Sequence, residues 1–412
     1  MDQREIQGDP RLERQVQSIL NDVRKRGDEA LIHYTQVFDG IRVPIDKLQV
    51  SQAEIKRAYQ RIPKGFLRTL KRAVGRIRRF HQLATPKSIS ALGKDIQIGQ
   101  EIRPLERIGI YVPGGKASYP STVLMASIPA KVAGVPKIIM STPPHQEGIS
   151  PAVLVAADLA GVDQIYRVGG AQAIAALAFG TESIPRVDKI VGPGNRYVAT
   201  AKRLVFGVVD VDMVAGPSEI LVISDGKSSP VCVAADLISQ AEHDESALAI
   251  LLTTSETLAR KVRREIEKQL LSLKRGKIAK ASLEGRGAIL VVKDLQQAIE
   301  VANRIAPEHL EICLSHPVPL LKKIKNAGAV FLGLHTPEAI GDYLAGPNHI
   351  LPTAGTARFS SPLGVEDFMK RMNWMGFTKE ALKDFEKDVK RFADWEGLEG
   401  HYRAVQVRIA KE

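Results

Sequence analysis

Histidines and carboxylates are concentrated in the second half of the sequence, where they could hold a metal ion. Six of the nine histidines lie between His243 and His401, and acidic or amide residues flank most of them. Gln240 and His243 are three residues apart, so on a helix both side chains would project from one face. A neutral imidazole is a strong zinc ligand, whereas glutamine is an unusual one. Taken alone, this segment indicates the end of a helix more than a metal site.

Two further segments combine carboxylates with histidine. Asp342 and His349 are seven residues apart in a stretch whose glycines and Pro347 favour a loop, and loops on rigid scaffolds often carry functional groups. The alternative, in which Asp342 caps a turn and His349 is merely exposed, is equally compatible with the pattern. Near the chain end, Glu396 precedes His401 by five residues. In isolation this histidine is better interpreted as a surface residue.

Glu308 and His309 place an acid directly beside a base, immediately after Pro307. Neighbours in an extended strand point to opposite faces of the sheet. A joint role for the two side chains therefore predicts an irregular backbone, which the proline favours. The segment is not the HExxH zinc helix.

Short β-branched apolar runs alternate with helical stretches from about residue 107 onward, which predicts parallel sheets covered by helices on both faces. The chain up to about residue 100 and the segment 366–394 are expected to be helical, with a hairpin around 96–102 and a short chain end at 400–409. The expected strands are 107–112, 137–141, 164–168, 188–191, 219–224, 248–253, 288–292 and 329–332.

Glycine-rich stretches border four of these strands, at 112–115, 168–172, 192–195 and 215–219. Loops beyond the carboxyl ends of strands form the ligand crevice of an open α/β sheet. None of the stretches matches GxGxxG followed by an acidic residue about 20 positions later. Spacing alone is therefore only a weak indication of a nucleotide.

The chain of 412 residues carries 58 basic and 46 acidic side chains, a net charge of +12. Ten of the 25 residues from Lys56 to Phe80 are basic, and within this block Leu70, Val74 and Ile77 recur at helical spacing. The block predicts an amphipathic helix with a solvated basic face, and no recognition motif supports a nucleic-acid partner. No apolar run reaches the roughly 18 residues of a membrane span, and the charged start does not resemble a signal peptide. We therefore expect a cytoplasmic protein without a membrane partner.

Seven longer motifs, in unbroken order from about residue 106, resemble the histidinol dehydrogenase family. They are ERIGIYVPGG, VGGAQAIAALAFGTESIPRVDKIVGPGN, DMVAGPSEILVISD, ISQAEHD, APEHLE, GDYLAGPNHILPT and EGLEGH. The resemblance implies an α/β fold with two incomplete Rossmann-like domains built on parallel sheets, plus smaller helical N-terminal and C-terminal regions. We accordingly expect a first α/β domain (1–110 and 220–360) with a helical N-terminal extension, a second Rossmann-like domain (111–219) and a small C-terminal dimerisation region (361–412).

The resemblance also implies an activity, the oxidation of L-histidinol through L-histidinal to L-histidine with two NAD. It implies a homodimer with one zinc ion per subunit, in which the C-terminal region completes the site of the partner subunit. By motif, the zinc ligands are Gln240, His243, Asp342 and His401, and the catalytic acid/base pair is Glu308 and His309. The substrate contacts are Ser218, Gln240, His243, His309, Asp342, His349, Glu396 and His401, and the NAD contacts are Tyr111, Gln172 and Asn195.

The residue types suit these roles. Oxidation of an alcohol requires removal of the hydroxyl proton as hydride leaves, and His309, titrating near neutrality, is a suitable general base. The resulting aldehyde must then add water, which a carboxylate such as Glu308 could activate. A cysteine nucleophile is the other route from an aldehyde to an acid. Cys232 and Cys313 both lie in apolar runs typical of core positions, and neither has a CxxC partner.

Two alternatives stay open. Related enzymes on the same scaffold oxidise another polyol or a sulfo-alcohol and keep much of the metal and acid/base set, although the presence of His349 and Glu396 favours histidinol. A basic nucleic-acid-binding protein is the distant alternative, based on the net charge of +12.

Overall fold

The computed structural model describes residues 9–114, 118–214 and 216–410. Gly115 and Ala215, which belong to two of the glycine-rich stretches, lie outside the described residues. The helices are α1 (Pro10–Arg26), α2 (Asp28–Asp39), α3 (Gln52–Arg61), α4 (Lys64–Leu83), α5 (Pro120–Ala133), α6 (Pro151–Ala160), α7 (Gly170–Phe179), α8 (Arg196–Val205), α9 (Pro230–Ala241), α10 (Glu256–Leu270), α11 (Gly276–Arg286), α12 (Leu295–Ile305), α13 (Val318–Leu321), α14 (Glu338–Tyr343), α15 (Lys379–Glu396) and α16 (Glu399–Ile409). The strands are β1 (Ile89–Leu92), β2 (Ile96–Pro104), β3 (Arg107–Tyr111), β4 (Lys137–Thr142), β5 (Gln164–Arg167), β6 (Lys189–Val191), β7 (Asp210–Val211), β8 (Glu219–Ser224), β9 (Leu248–Thr253), β10 (Ala288–Val291), β11 (His309–Cys313), β12 (Ala329–Leu332) and β13 (Met369–Phe377).

The chain divides into two compact units. The first unit contains the residues up to Ala84 together with Leu105–Phe368. The second contains Thr85–Pro104 and the residues from Met369 onward. In the second unit, β1, β2 and β13 form an antiparallel sheet with β2 in the middle, and α15 packs against α16.

The first unit is built on two parallel five-stranded sheets. The first sheet has the order β5-β4-β3-β6-β7 and the second sheet has the order β10-β9-β8-β11-β12. In each sheet the chain runs from the central strand to one edge and then crosses to the other side, which is the strand order of a Rossmann sheet without its sixth strand. The structure thus confirms an α/β fold with parallel sheets and helical termini.

All eight expected strands are confirmed to within one residue at either end. These strands could be predicted from the sequence because strands buried on both faces are continuous apolar runs. Every residue of β8, for example, is buried. The helices between them are equally apolar where they are enclosed, and eight of the ten residues of α7 are buried.

Two expectations about secondary structure are wrong. The segment 366–394 is not one helix, since β13 occupies Met369–Phe377 and α15 begins only after the capping residue Thr378. Asp342, expected in a loop, instead lies on the short helix α14. The hairpin expected around 96–102 is present, formed by β1 and β2 with its turn just before Ile96. The central strand β11 was not expected, because His309 and Glu311 interrupt its apolar pattern although the whole strand is buried.

The basic block is two helices rather than one. α3 ends at Arg61 and α4 begins at Lys64, with Pro63 as the residue before the new helix. A proline there separates the helices because it disfavours helical geometry in the residue before it. Leu70, Val74 and Ile77 are buried along one side of α4, as the spacing predicts.

The N-terminal helices belong to the core of the first sheet. α1 packs against α7 and α8, and its apolar residues share one cluster with theirs. The domain boundaries given above stay a prediction. Among the described residues, no helix combines the length and the apolar composition needed to cross a membrane, and the cytoplasmic location also stays a prediction.

Candidate active site

The topology of the second sheet brings five of the predicted site residues to its amino edge. The central strands β8 and β11 are neighbours that begin at Glu219 and His309. Ser218 immediately precedes β8, and its carbonyl accepts the backbone N–H of Leu248 at 2.9 Å. α9 returns the chain to this same edge and ends next to Gln240. His243 follows one residue beyond the helix cap, so the predicted helix end is confirmed.

His309 is held in one orientation by the neighbouring strand. Its Nδ1 lies 3.0 Å from the carbonyl oxygen of Glu219, so Nδ1 carries the proton and Nε2 is the free acceptor. The backbone N–H of Glu219 donates to Glu308 Oε2 at 2.8 Å, and that oxygen is 3.5 Å from His309 Nδ1. Glu308 sits at a bend directly before β11. The irregular backbone expected at this pair is therefore present, but it ends at His309, which is the first residue of the strand.

Two more acidic residues face this histidine. Nε2 of His309 lies 3.7 Å from Glu338 Oε1, and His309, Glu338 and Asp342 have ligand-type atoms within 4.8 Å of one another. Asp342 Oδ1 is 3.5 Å from His349 Nδ1. The structure thus joins residues from β11, α14 and the following loop, which the sequence separates by up to 40 positions.

Burial dominates the electrostatics of the cluster. It lowers the pKa of His309 to about 4, raises the pKa of Glu308 well above its ordinary value and, with the nearby Asp342 carboxylate, raises the pKa of Glu338 to about 8. Burial also acts to raise the pKa of Asp342. However, the hydrogen bond from His349 and the positive field of the imidazoles outweigh it, so this pKa lies below its ordinary value. Asp342 is consequently the residue of the cluster that most readily carries a negative charge.

The site fits the zinc ion that the sequence resemblance implies. The amide of Gln240 is completely buried, and within the described residues neither its oxygen nor its nitrogen forms a hydrogen bond. A buried polar group is normally paired, so this amide is suited to an additional ligand. His243 is exposed, and it is close enough to influence the pKa values of His309 and Asp342. The close cluster of His309, Glu338 and Asp342 shares only Asp342 with the predicted ligand set.

The predicted NAD contacts lie at the carboxyl edge of the first sheet. Tyr111 ends the central strand β3, and its hydroxyl accepts the N–H of Gly170 at 3.1 Å, at the start of α7. Gln172, two residues further on, is fully buried, with no hydrogen bond to its amide within the described residues. Asn195 caps α8 through its oxygen, accepting from the N–H groups of Tyr197 and Val198 at 3.0 and 3.1 Å.

Gly192 allows the turn before Asn195 to approach the central strand. Its φ is +113°, which favours glycine, and a Cβ at this position would lie 2.1 Å from the carbonyl oxygen of Tyr111. The turn therefore sits directly beside the end of β3. This is the point at which the strand order of the first sheet reverses, where ligands of Rossmann sheets bind.

Glu396 and His401 belong to the second unit. Glu396 is the last residue of α15, and His401 lies in the first turn of α16. Both are exposed. Their proposed part in the site stays a prediction.

Sequence reasoning missed the buried carboxylates of the site. Glu219, Glu311 and Glu338 are each less than 5% exposed. Glu311 lies two residues after His309 on β11, so both side chains are on one face of the strand. A charged residue inside an otherwise buried strand was the available signal. Glu338 is a single carboxylate in a polar segment, so no comparable signal in the sequence indicated that it is buried.

The two cysteines differ in their surroundings. Cys313 is buried, and burial with the nearby Glu311 raises its pKa, which disfavours a thiolate nucleophile. Cys232, expected to be a core residue, is instead exposed. It lies with the exposed Val231 on the outer side of α9, whereas Val233 and Ala234 face the sheet, so its apolar run is split between the two helix faces.

Two parallel sheets with Rossmann strand order and a buried acid/base cluster define an α/β protein with a candidate ligand site at a sheet edge. A sequence model of the histidinol dehydrogenase family matches residues 2–409. The chain is 54% identical over 400 residues to a histidinol dehydrogenase of Syntrophotalea carbinolica and 53% identical over 402 residues to one of Bacillus cereus; each alignment covers 97% of this chain and 93% of the relative. The crystal structure of histidinol dehydrogenase from Elizabethkingia anophelis superimposes with a TM-score of 0.94 at 39% identity, covering 98% of this chain and 94% of that chain. This chain therefore belongs to the histidinol dehydrogenase family.

Proposed function

We propose that the protein oxidises L-histidinol through L-histidinal to L-histidine, reducing two NAD, with one zinc ion in each subunit of a homodimer. Membership of the histidinol dehydrogenase family supports the substrate and the place of the reaction in histidine biosynthesis. The observation that carries the proposal is the convergence of His309, Asp342 and His349 from separate segments into one cluster.

Gln240, His243 and Asp342 are the proposed zinc ligands of this chain, and His401 completes the set. When bound, zinc anchors the imidazole and amine nitrogens of the substrate as a Lewis acid. Support comes from the unpaired buried amide of Gln240 and from the readily ionised Asp342. One carboxylate with neutral imidazoles and an amide leaves room for neutral nitrogen donors of a substrate.

His309 is the proposed base for the alcohol step. Its Nδ1 is engaged by the carbonyl of Glu219, so Nε2 is the atom that accepts the hydroxyl proton as hydride passes to NAD. Burial lowers the pKa of this imidazole to about 4, below the near-neutral value expected from the sequence. The imidazole is therefore neutral at neutral pH and can accept a proton, although as a weaker base than an exposed histidine. Glu308, held by the N–H of Glu219, is the proposed group that activates water for the aldehyde step. Ser218, His349 and Glu396 are proposed to contact the substrate.

Tyr111, Gln172 and Asn195 are the proposed NAD contacts. The start of α7 and the capped start of α8 meet at this edge of the first sheet, and helix N-termini favour the anionic pyrophosphate of a dinucleotide. The amide of Gln172 is available to a ligand because it has no partner among the described residues.

The C-terminal region 361–412 is the proposed dimerisation region, through which Glu396 and His401 reach the site of the partner subunit. Its helix α15 exposes Phe392 by 71% and Trp395 by 92%, and β13 exposes Met375 by 68%. Large exposed apolar side chains of this kind mark interaction surfaces.

The test is the amount of NADH formed per L-histidinol consumed by the zinc-loaded protein. Two NADH per histidinol are expected, without accumulation of aldehyde. One NADH with free aldehyde would contradict the two-step reaction. Turnover of another polyol or a sulfo-alcohol, without turnover of histidinol, would support the related-dehydrogenase alternative instead.

A further inference from the structure

The basic helix α4 contacts the loop that joins α14, the helix carrying Asp342, to His349. We infer that Arg76 is a positioning residue, which fixes the loop between Asp342 and His349 and so sets the distance between these two side chains. The inference rests on the proposed function for the ligand role of Asp342. It also gives a role to the basic block, whose charge suggested a nucleic-acid partner.

The guanidinium of Arg76 binds the end of α14. Its Nε donates to the carbonyl of Leu344, and its Nη2 donates to the carbonyl of Ala345 at 3.3 Å. These residues directly follow the helix that carries Asp342, and their N–H groups close its last turn onto Ile340. The last carbonyls of a helix lack partners within the helix and attract cations. Arg76 therefore holds the helix end through both its geometry and its charge.

Gly346 brings the loop into contact with the α4 backbone. Its φ is +115°, and a Cβ here would lie 3.2 Å from the carbonyl oxygen of Arg76 and 3.4 Å from Cβ of Phe80. Any other residue would be strained by this backbone conformation and crowded by the helix. The loop is thus seated on the same turn of α4 that supplies the guanidinium.

Asn348 anchors the other end of the loop. Its buried Nδ2 donates to the carbonyl of Met125 in α5 at 2.7 Å, and its Oδ1 accepts the N–H of Ile350 at 2.9 Å. His349 lies between these two anchored residues. The loop is therefore fixed at its start by α4 and at its end by α5, and the 3.5 Å contact between Asp342 and His349 closes it.

Loss of Arg76 frees only the start of the loop. The carbonyls of Leu344 and Ala345 lie near the surface and can bind water instead, so the fold should persist. The position of Asp342 relative to His349 is what becomes variable. We expect weaker zinc binding and weaker substrate binding, with a smaller effect on the chemical step.

The experiment compares Arg76→Ala with Arg79→Ala, which removes the same charge from α4 at an exposed residue without a hydrogen bond or ion pair among the described residues. Zinc affinity is measured by competition with a chelator, and KM and kcat are measured with L-histidinol. Arg76→Ala should weaken zinc binding by about 10- to 100-fold, the usual effect of removing a group that orients a ligand. KM should rise more than kcat falls. Arg76→Lys should recover part of the loss, because an ammonium group can donate to the same carbonyls.

Hydrogen exchange of the segment 342–350 in the metal-free protein supplies a second readout. Arg76→Ala should exchange faster there than Arg79→Ala. Equal zinc affinity, KM and exchange in the two variants would overturn the inference. If zinc affinity fell equally in Arg76→Ala and Arg79→Ala, the cause would be the lost charge and not the contacts with the loop, and the inference would again be overturned. A wild-type protein that binds no zinc but shows the exchange difference would refute the proposed function and leave the positioning of the loop supported.

Discussion

Two buried glutamines give the sharpest test of the proposed ligands. Gln240 and Gln172 are both 0% exposed, and neither amide forms a hydrogen bond within the described residues. One is proposed to bind zinc and the other NAD. Leucine has nearly the same volume as glutamine and a comparable helix propensity, so Gln240→Leu and Gln172→Leu form a matched pair.

The two variants should stabilise the protein when no ligand is bound. An amide buried without a partner costs roughly 1–3 kcal/mol, and leucine removes this cost while filling the same space. Each variant should therefore raise the free energy of unfolding of the metal-free, NAD-free protein by about 1–3 kcal/mol. Ligand binding should respond in opposite ways. Gln240→Leu should weaken zinc binding by at least about 100-fold and leave NAD binding unchanged, whereas Gln172→Leu should weaken only NAD binding.

Thermal denaturation with a chelator, with zinc and with NAD separates these effects. Zinc should raise the melting temperature of the wild type and of Gln172→Leu, and it should raise that of Gln240→Leu much less. Zinc and NAD dissociation constants, measured by chelator competition and calorimetry, check the assignment. Destabilisation of the ligand-free protein by Gln240→Leu would refute the reasoning, because it would show that the amide is paired in the native state.

Three further substitutions test the rest of the site. His309→Ala should retain zinc and lose on the order of 10² to 10⁴ in kcat, because it removes the proton acceptor; metal analysis and NADH formation measure the two effects. His309→Ala mixed with His401→Ala should recover about a quarter of wild-type activity, since half of the random dimers pair both variants and keep one intact site of two. Glu311→Gln should flatten the dependence of stability on pH. Burial, with the nearby Asp236, raises the Glu311 pKa from 4.5 to about 9, so the wild type is most stable below its unfolded pKa. As the pH rises towards the pKa of Glu311 in the folded state, the free energy of unfolding falls by up to about 1.4 kcal/mol per pH unit. Urea denaturation at a series of pH values measures this fall.

Each of these three predictions has an outcome that would contradict it. Loss of zinc from His309→Ala would make this histidine a ligand, in line with its place beside Glu338 and Asp342. Mixed subunits without activity would mean that His401 serves its own chain or has no part in the site. Equal pH slopes for the wild type and Glu311→Gln would show that Glu311 keeps one protonation state over the range tested.

The sequence predicted the sheets well because their central strands are buried on both faces. A strand such as β8 can be recognised from its own six residues. β11 was missed because His309 and Glu311 serve the site and break the apolar run. β13 was missed for the opposite reason. Most of its side chains are exposed, and it is held by backbone pairing with β2. The local sequence pattern gives no indication of this pairing.

The sequence predicted site residues only where they belong to a recognisable local motif. Glu308 and His309 are adjacent in sequence, so chemistry could be suspected from the residues themselves. The approach of His309 to Asp342, by contrast, depends on the order of strands in the second sheet and on the loop that Arg76 holds. Glu338 is a single carboxylate with no distinctive neighbour. Its importance arises only from the residues that surround it in space.

The two parallel sheets offer environments of opposite sign. At the carboxyl edge of the first sheet, α7 and α8 begin, and the partly positive ends of these helices favour an anion such as a pyrophosphate. At the amino edge of the second sheet, α9 ends, and its partly negative terminus adds to the negative charge of Asp342. Such an edge favours a cation and disfavours a phosphate. Pyrophosphate itself binds zinc, so the test needs a metal buffer that holds the free zinc concentration constant. Under that condition inorganic pyrophosphate should compete with NAD without changing the zinc occupancy of the protein, and a loss of bound zinc would contradict the assignment of the two ligands to separate sheets.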